Sequence, residues 1–214
     1  MASGNEFSDD LLMAMKRVAR VLGDTDVPFA LAGGMAVYAR GGHVSDHDVD
    51  FLIRERDVDQ ALEALDAAGL RTERPPEDWL VKAFDGDILV DLIHRPVERP
   101  VTDETLADTS VLPIGAIAVP VLSATELTVH RLLTFTEHEC NFAGAIALAR
   151  SIREQIDWER VRSETKPSPF AQSFLFLLES LELIPPSDAA SGAKAGSARL
   201  TARGDPAMAS RRPM

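Results

Sequence analysis

Apolar residues recur at helical spacing near the start of the chain, form strand-like runs in the middle, and return to helical spacing later. Residues 11–22 place Leu, Met, Val and Ala on one face, and Gly23 follows as a stop, which predicts an opening helix. Predicted strands cover residues 27–32, 48–53, 80–84, 88–93 and 114–121. Later helices are predicted over residues 125–137, 141–155 and 170–183.

This order of elements predicts an α/β (α+β) fold, in which a small mixed sheet is flanked by helices and followed by a helical C-terminal part. Asp85-Gly86 separates two apolar runs, a strong hairpin signal, so we expect the runs on either side to pair antiparallel. We expect a core over residues 1–122 and a helical part over residues 123–184. Residues 185–214, rich in Ala, Gly, Ser and Arg, are expected to form a disordered tail.

Composition narrows the class of protein. The 214 residues carry a formal net charge of -12, which argues against a broad nucleic-acid-binding or anionic-membrane surface. The single cysteine, Cys140, cannot form an internal disulfide and fits a reducing compartment. The N-terminus lacks the pattern of a secretion signal, and no apolar stretch reaches the roughly 20 residues that span a bilayer. We therefore expect a soluble cytoplasmic protein with no membrane partner.

Three aspartates lie in or against strongly apolar, strand-like runs: Asp48 and Asp50 in HDVDFLI, and Asp91 in ILVDLI. A buried carboxylate without a partner costs several kcal/mol, so such groups are usually neutralised, paired or bound to a cation. Residues two apart in a strand share a face, roughly 6.5–7 Å apart along the chain. Asp48 and Asp50 can thus face one site that Asp91 completes from a neighbouring strand. Three carboxylates suit Mg²⁺ or Mn²⁺.

Gly33-Gly34 directly follows the predicted strand 27–32. Glycine lets the backbone approach a ligand closely, and a following helix would direct free N–H groups at an anion. A Gly-Gly pair by itself is most simply a tight turn. Together with the Asp-x-Asp strand and a later aspartate, it indicates metal-assisted phosphoryl or nucleotidyl transfer.

The order of Gly33-Gly34, Asp48-Val-Asp50 and Asp91 resembles the nucleotidyltransferase superfamily that includes DNA polymerase beta. Thirteen residues separate Gly34 from Asp48, which fits the family's spacing. The resemblance implies an enzyme that moves a nucleoside monophosphate from a nucleoside triphosphate (NTP) to an acceptor. It also implies that Asp48 and Asp50 bind metal, and that Asp91 completes the metal site and helps to deprotonate the acceptor hydroxyl. Gly33 and Gly34 would hold the triphosphate.

The later part of the chain resembles small bacterial nucleotidyltransferases, including toxin members of toxin–antitoxin pairs and antibiotic-modifying enzymes. Ser123 and the residues after it open a helix behind a strand, much as in those proteins. Arg131 is the nearest match to a phosphate-binding lysine that they often carry on this helix. By the same resemblance, Ser45 partly replaces residues found before their Asp-x-Asp and would contact the nucleotide.

Several alternatives remain open at this point. The acceptor can be RNA, a protein or a small molecule such as an aminoglycoside. The fold could also serve as a catalytically degenerate binding module, for example one component of a toxin–antitoxin pair with a small protein partner. The pair His47-Asp48 invites comparison with metal phosphohydrolases, although those enzymes place it on a helix rather than at a strand. The sequence shows no Walker loop and no Gly-x-Ser-x-Gly motif.

Overall fold

The computed structural model describes residues 8–42 and 48–187 of the chain. These residues form eight α-helices: α1 Asp9–Gly23, α2 Gly33–Ala39, α3 Val58–Ala67, α4 Asp103–Ala107, α5 Ala124–Leu133, α6 Phe142–Ile152, α7 Trp158–Glu164 and α8 Pro169–Ser180. They also form seven strands: β1 Phe29–Ala32, β2 Val49–Ile53, β3 Arg71–Glu73, β4 Leu80–Asp85, β5 Ile88–Ile93, β6 Thr109–Ile114 and β7 Ile117–Leu122. Short 3₁₀ turns cover Glu55–Asp57, Pro96–Glu98 and Arg153–Gln155.

The strands form one sheet in the order β3-β4-β5-β2-β1-β7-β6. Strands β2 and β5 pair parallel, as do β1 and β7, whereas the other neighbours pair antiparallel. The predicted α/β fold with a mixed sheet and a helical C-terminal part is therefore confirmed. The predicted hairpin is also confirmed, because β4 and β5 join through Gly86, whose φ of +62° is the left-handed conformation that glycine tolerates.

Two hydrophobic clusters hold the described residues together. The first packs α1 and α3 against the sheet, with Met15, Leu65 and Phe51 fully buried. The second lies among α5, α6, α7 and α8, where the rings of Phe135 and Phe174 meet edge to face at a centroid distance of 5.9 Å. The helical part thus has its own apolar core, which follows from the apolar stripes along its helices.

The single strand predicted over 114–121 is wrong in its first part. Ile114 ends β6, Gly115 makes the turn with φ +60°, and β7 starts at Ile117. The strand before the turn contains Pro113. The sheet accommodates this proline because β6 is an edge strand, where a missing ladder N–H is tolerated.

The described residues up to Ile184 form one compact unit, which ends before Pro185. Of the predicted tail, the structure describes only residues 185–187, so the tail lies almost entirely outside the described residues. The boundary expected at residue 122 stays a prediction. Within the described ranges, no helix combines the length and apolar character needed to cross a membrane.

Candidate functional site

Asp50 and Asp91 occupy directly neighbouring positions on the parallel strands β2 and β5. Their side chains project from the same face, because partners in register across a sheet share a face and lie about 4.8 Å apart along the hydrogen-bonding direction. The flanking residues Val49 and Val90 are fully buried on the opposite face, which fixes the register of the two strands. The structure therefore brings two of the three predicted aspartates together.

Gly33 lies where β1 ends and α2 begins, beside the Asp50 carboxylate. Its φ is +58°, and a Cβ built on it would overlap with a carboxylate oxygen of Asp50 and lie only 2.9 Å from Asp50 Cγ. Ala32, the residue before Gly33, pairs with Asp50 across the antiparallel strands β1 and β2. Because Gly33 has no side chain, there is room for the Asp50 carboxylate. The sequence had suggested another role for this glycine, namely that it lets the backbone approach a ligand closely.

Asp91 has an unusual environment for a carboxylate. Its Oδ1 atom is buried and has no hydrogen-bond partner among the described residues. Burial raises the pKa of Asp91 above its ordinary value; the nearby Lys82 ammonium opposes this shift and the charge of Asp48 adds to it. Lys82 is the register partner of Asp91 on β4. Asp50, Asp91 and Lys82 therefore form one polar row across three neighbouring strands.

Asp48 lies just before β2 and is exposed, and its charge acts on Asp91. The third predicted aspartate is thus near the row, but it is not packed into it. Among residues 8–42 and 48–187, no group of three His, Cys, Asp or Glu side chains is close enough to hold a metal ion by itself. Ser45 lies outside the described residues. A buried carboxylate oxygen without a hydrogen-bond partner, such as Oδ1 of Asp91, is an atom that a cation could satisfy.

A cavity of about 650 Å³ opens beside Gly33, Gly34 and Asp50. Its size is that of a small-molecule or nucleotide site. The sheet, the turn after β5 and helices α5 and α6 form its walls, and most wall residues are apolar or small. The residues of the walls include Leu52, Trp79, Leu127, Gly144, Ala147 and Leu148. We call this space the Asp50 cavity.

The Asp50 cavity is also lined by two polar side chains of α5: Arg131, which the resemblance indicated, and His130, which the sequence reasoning missed. Arg131 lines it and makes no ion pair with any described residue. His130 lines it too, with Nε2 3.2 Å from Glu126 Oε1. The four-residue spacing of Glu126 and His130 on a helix was the available signal. His130 was not predicted because the sequence does not show which side chains of this helix face Asp50 and Asp91.

Residues 8–184 match the model of a protein family described as uncharacterised nucleotidyltransferases. This match covers most of the chain, so the protein belongs to that family and is a nucleotidyltransferase, a transferase enzyme. The resemblance to this superfamily is confirmed. No curated protein matches the chain in sequence.

Solved structures confirm the same fold at low sequence identity. The antibiotic-resistance factor ANT(2'')-Ia in solution is 16% identical, with 80% of this chain and 94% of that chain covered and a TM-score of 0.53. A crystal structure of ANT(2'')-Ia in complex with adenylyl-2''-tobramycin has 16% identity, coverages of 76% and 95%, and a TM-score of 0.52. An antigenic nucleotidyltransferase-like protein from Paracoccidioides brasiliensis has 19% identity, coverages of 90% and 95%, and a TM-score of 0.51.

Proposed function

We propose that the protein moves a nucleoside monophosphate group from an NTP to a hydroxyl of an acceptor, with a divalent cation and release of pyrophosphate. The observation that supports this most directly is the in-register pair of Asp50 and Asp91 beside the glycine at the end of β1. Two carboxylates held side by side next to a nucleotide-sized cavity favour a cation between them.

Asp48, Asp50 and Asp91 are the proposed ligands of Mg²⁺ or Mn²⁺. Magnesium is usually bound through one or two carboxylates together with substrate phosphates, so a ready-made three-ligand group is not required. The bound cation would neutralise charge on the triphosphate and on the leaving pyrophosphate. Asp91, whose pKa burial raises, is the proposed group that helps to deprotonate the acceptor hydroxyl.

Gly33, Gly34 and Ser45 are the proposed contacts to the triphosphate. Two positively charged side chains among the described residues support this assignment. Arg131 faces the Asp50 cavity and forms no ion pair with a carboxylate of the described ranges, and Lys82 lies opposite Asp91. Both can offset phosphate charge beside the acidic groups Asp50 and Asp91.

A small molecule is the proposed acceptor, ahead of RNA or a protein. The structure of ANT(2'')-Ia contains adenylyl-2''-tobramycin, a small molecule that carries a nucleotidyl group, on the same fold. The net charge of -12 disfavours extended contact with RNA. The exposed free thiol of Cys140 supports a reducing compartment such as the cytoplasm. A small protein partner would be detected as a stable co-purifying chain.

Transfer is tested with α-³²P-labelled NTPs, Mg²⁺ and three acceptor classes: tRNA, the protein itself and a panel of hydroxylated small molecules that includes aminoglycosides. We expect one class to become labelled in a Mg²⁺-dependent way, and Asp50→Asn to lose labelling while circular dichroism stays unchanged. Asp87→Asn is the matched control, because Asp87 is exposed near the β4–β5 turn and carries the same charge. Absence of labelling in every class and with every NTP would refute the proposed activity.

A further inference from the structure

Strand β7 has a free edge next to the start of β1. The two strands pair only through Leu31 and Val121, so residues 117–120 have one partner strand among the described strands, namely β6. A strand edge without a partner exposes backbone N–H and C=O groups, to which another extended segment can bind. This edge therefore offers a place where a further strand can join the sheet.

The register of the β6–β7 hairpin shows which backbone groups point toward the free edge. Ile114 and Ile117 flank a two-residue turn, so Ile117 and Val119 form the hydrogen-bonded pairs with β6. The N–H and C=O groups of Ala118 point the opposite way, and Ala118 is exposed. Pro120 carries no N–H. Within residues 117–120, Ala118 is thus the N–H donor of this edge.

A groove of about 730 Å³ runs along the edge, between β7 and α1, and we call it the α1–β7 groove. Apolar side chains form part of its lining: Met13 from α1, Phe29 from β1, and Ile117 and Val119 from β7. Met13 is 60% exposed, although a large apolar side chain is usually buried. Methionine is flexible and adapts to the shape of a partner, so its exposure beside a free edge favours a protein-binding surface.

The rim of the α1–β7 groove is basic. Lys16, Arg17 and Arg20 line it, against the carboxylate of Asp85. Arg17 pairs with Asp85, whereas Lys16 forms no ion pair with a carboxylate in the described parts of the chain. Arg20 lies 3.8 Å from Asp24, but both side chains are so exposed that this pair contributes little. The groove thus keeps positive charge on a chain whose formal net charge is -12.

The ammonium group of Lys16 lies close to one end of the free edge. A Cβ built on Gly115, in the β6–β7 turn, would be 3.0 Å from Lys16 Nζ. Ala118 follows Gly115 by three residues, which is roughly 10 Å along a strand. An acidic side chain on a segment that pairs with Ala118 can therefore reach Lys16, so the charge of the rim complements an acidic partner.

We propose that the α1–β7 groove is a docking site for another protein, which adds an extended acidic segment to the free edge of β7. The backbone of this segment pairs with Ala118, its apolar side chains pack against Met13 and Phe29, and its carboxylates bind Lys16 and Arg20. Nucleic acid fits less well, because the groove is largely apolar and its three basic groups neutralise few phosphates.

The docking site involves the face of the sheet opposite to Asp50. The rings of Phe29 and Phe51 meet edge to face at a centroid distance of 5.6 Å, and both lie on the face where Val49 is buried. A segment bound in the groove therefore leaves the Asp50 cavity open. The proposed docking does not depend on the proposed nucleotidyl transfer.

A random-peptide display library, panned on the full-length protein, supplies the probe. We expect the enriched peptides to alternate acidic and apolar residues, as an extended segment on this edge requires. Each enriched peptide is synthesised with a fluorescent label, and its Kd is measured by polarisation. Lys16→Glu/Arg20→Glu should raise the Kd by about tenfold or more, because like charges then meet across the groove. Met13→Gln should also weaken binding.

Arg150→Glu/Arg153→Glu is the matched control. It reverses the same number of charges at two side chains that do not line the groove: Arg150 is exposed, and the side chain of Arg153 is 44% exposed. This variant should leave the Kd unchanged. Added NaCl should weaken binding to the parent protein, because salt screens exposed charges.

Nuclear magnetic resonance separates strand pairing from a loose ionic contact. When an enriched peptide is added, the amide of Ala118 should shift and should exchange with solvent more slowly, because it gains a hydrogen bond. The methyl resonance of Met13, assigned with Met13→Gln, should shift more than that of the fully buried Met15.

The inference is overturned if no peptide is enriched, if the enriched peptides are not acidic, or if charge reversal at Lys16 and Arg20 leaves the Kd unchanged. An amide of Ala118 that does not respond would overturn the strand pairing and with it the inference. An RNA oligonucleotide that displaces the peptides would assign the groove to nucleic acid, and a dimer that Met13→Glu disrupts would assign it to a second copy of this chain. Either result would also contradict the proposed partner.

Discussion

Replacing Gly33 by alanine tests how the carboxylate row is held in place. The backbone at Gly33 has φ +58°, and an added methyl group would overlap with the Asp50 carboxylate. Gly33→Ala should therefore lower the free energy of unfolding in two ways. An alanine strains the left-handed backbone at this position, and its methyl group displaces Asp50. Gly86→Ala isolates the first, because Gly86 has φ +62° and nothing lies within 4 Å of an added Cβ.

The magnitudes follow from these two environments. A left-handed conformation costs a residue with a Cβ about 1–2 kcal/mol, so Gly86→Ala should lower the free energy of unfolding by this amount. In Gly33→Ala the added Cβ would lie 2.9 Å from Asp50 Cγ and 3.2 Å from Asp50 Cβ, so the Asp50 side chain must leave its rotamer. This adds about 0.5–1.5 kcal/mol, for a total of about 1.5–3.5 kcal/mol.

Urea unfolding of the parent protein and both variants measures how much more Gly33→Ala lowers the free energy of unfolding than Gly86→Ala does. A double-mutant cycle with Asp50→Ala then assigns its cause, because the extra cost of Gly33→Ala should fall by about 1 kcal/mol once the carboxylate is absent. Equal destabilisation by Gly33→Ala and Gly86→Ala would refute the reasoning. An extra cost that persists unchanged in the Asp50→Ala background would refute it as well.

Three further predictions concern the framework around the site. Phe174→Ala, in the helical core, should lower the free energy of unfolding by about 3–5 kcal/mol, whereas Phe176→Ala, 71% exposed on the same helix, should change it by less than about 0.5 kcal/mol. Arg160→Met leaves a buried carboxylate unpaired and should cost about 3 kcal/mol, against almost nothing for Arg153→Met at a surface pair; similar midpoints in urea would contradict this. Burial lowers the pKa of His94 below its ordinary 6.5, so the unfolded chain binds the additional proton. The free energy of unfolding should therefore fall as the pH drops below about 6.5, and urea titrations of His94→Gln should show a shallower slope.

The carboxylate row could be predicted in part from the sequence. An aspartate inside an apolar run is detectable because it conflicts with its surroundings, and the period of two places Asp48 and Asp50 on one face. The register of Asp50 against Asp91 could not be deduced, because β2 and β5 are separated by α3 and two further strands in the chain. Only the tertiary pairing of the two strands determines it.

Elements that depend on their neighbours escaped the sequence reasoning. Strand β3 has three residues and two exposed side chains, and β6 contains Pro113, so neither shows a strand pattern. Both are edge strands, whose pairing is fixed by the strand beside them. The partner of the buried Glu126 was similarly hidden, because Arg160 is brought to α5 from a later helix.

Asp50 and Asp91 should bind a nucleotide only together with a divalent cation. Calorimetric titration with a non-hydrolysable NTP analogue, with and without Mg²⁺, measures this dependence. We predict binding only when Mg²⁺ is present, loss of binding in Asp50→Asn, and unchanged binding in Asp87→Asn. Binding that is independent of Mg²⁺, or equal affinity in Asp50→Asn and the parent protein, would contradict this prediction.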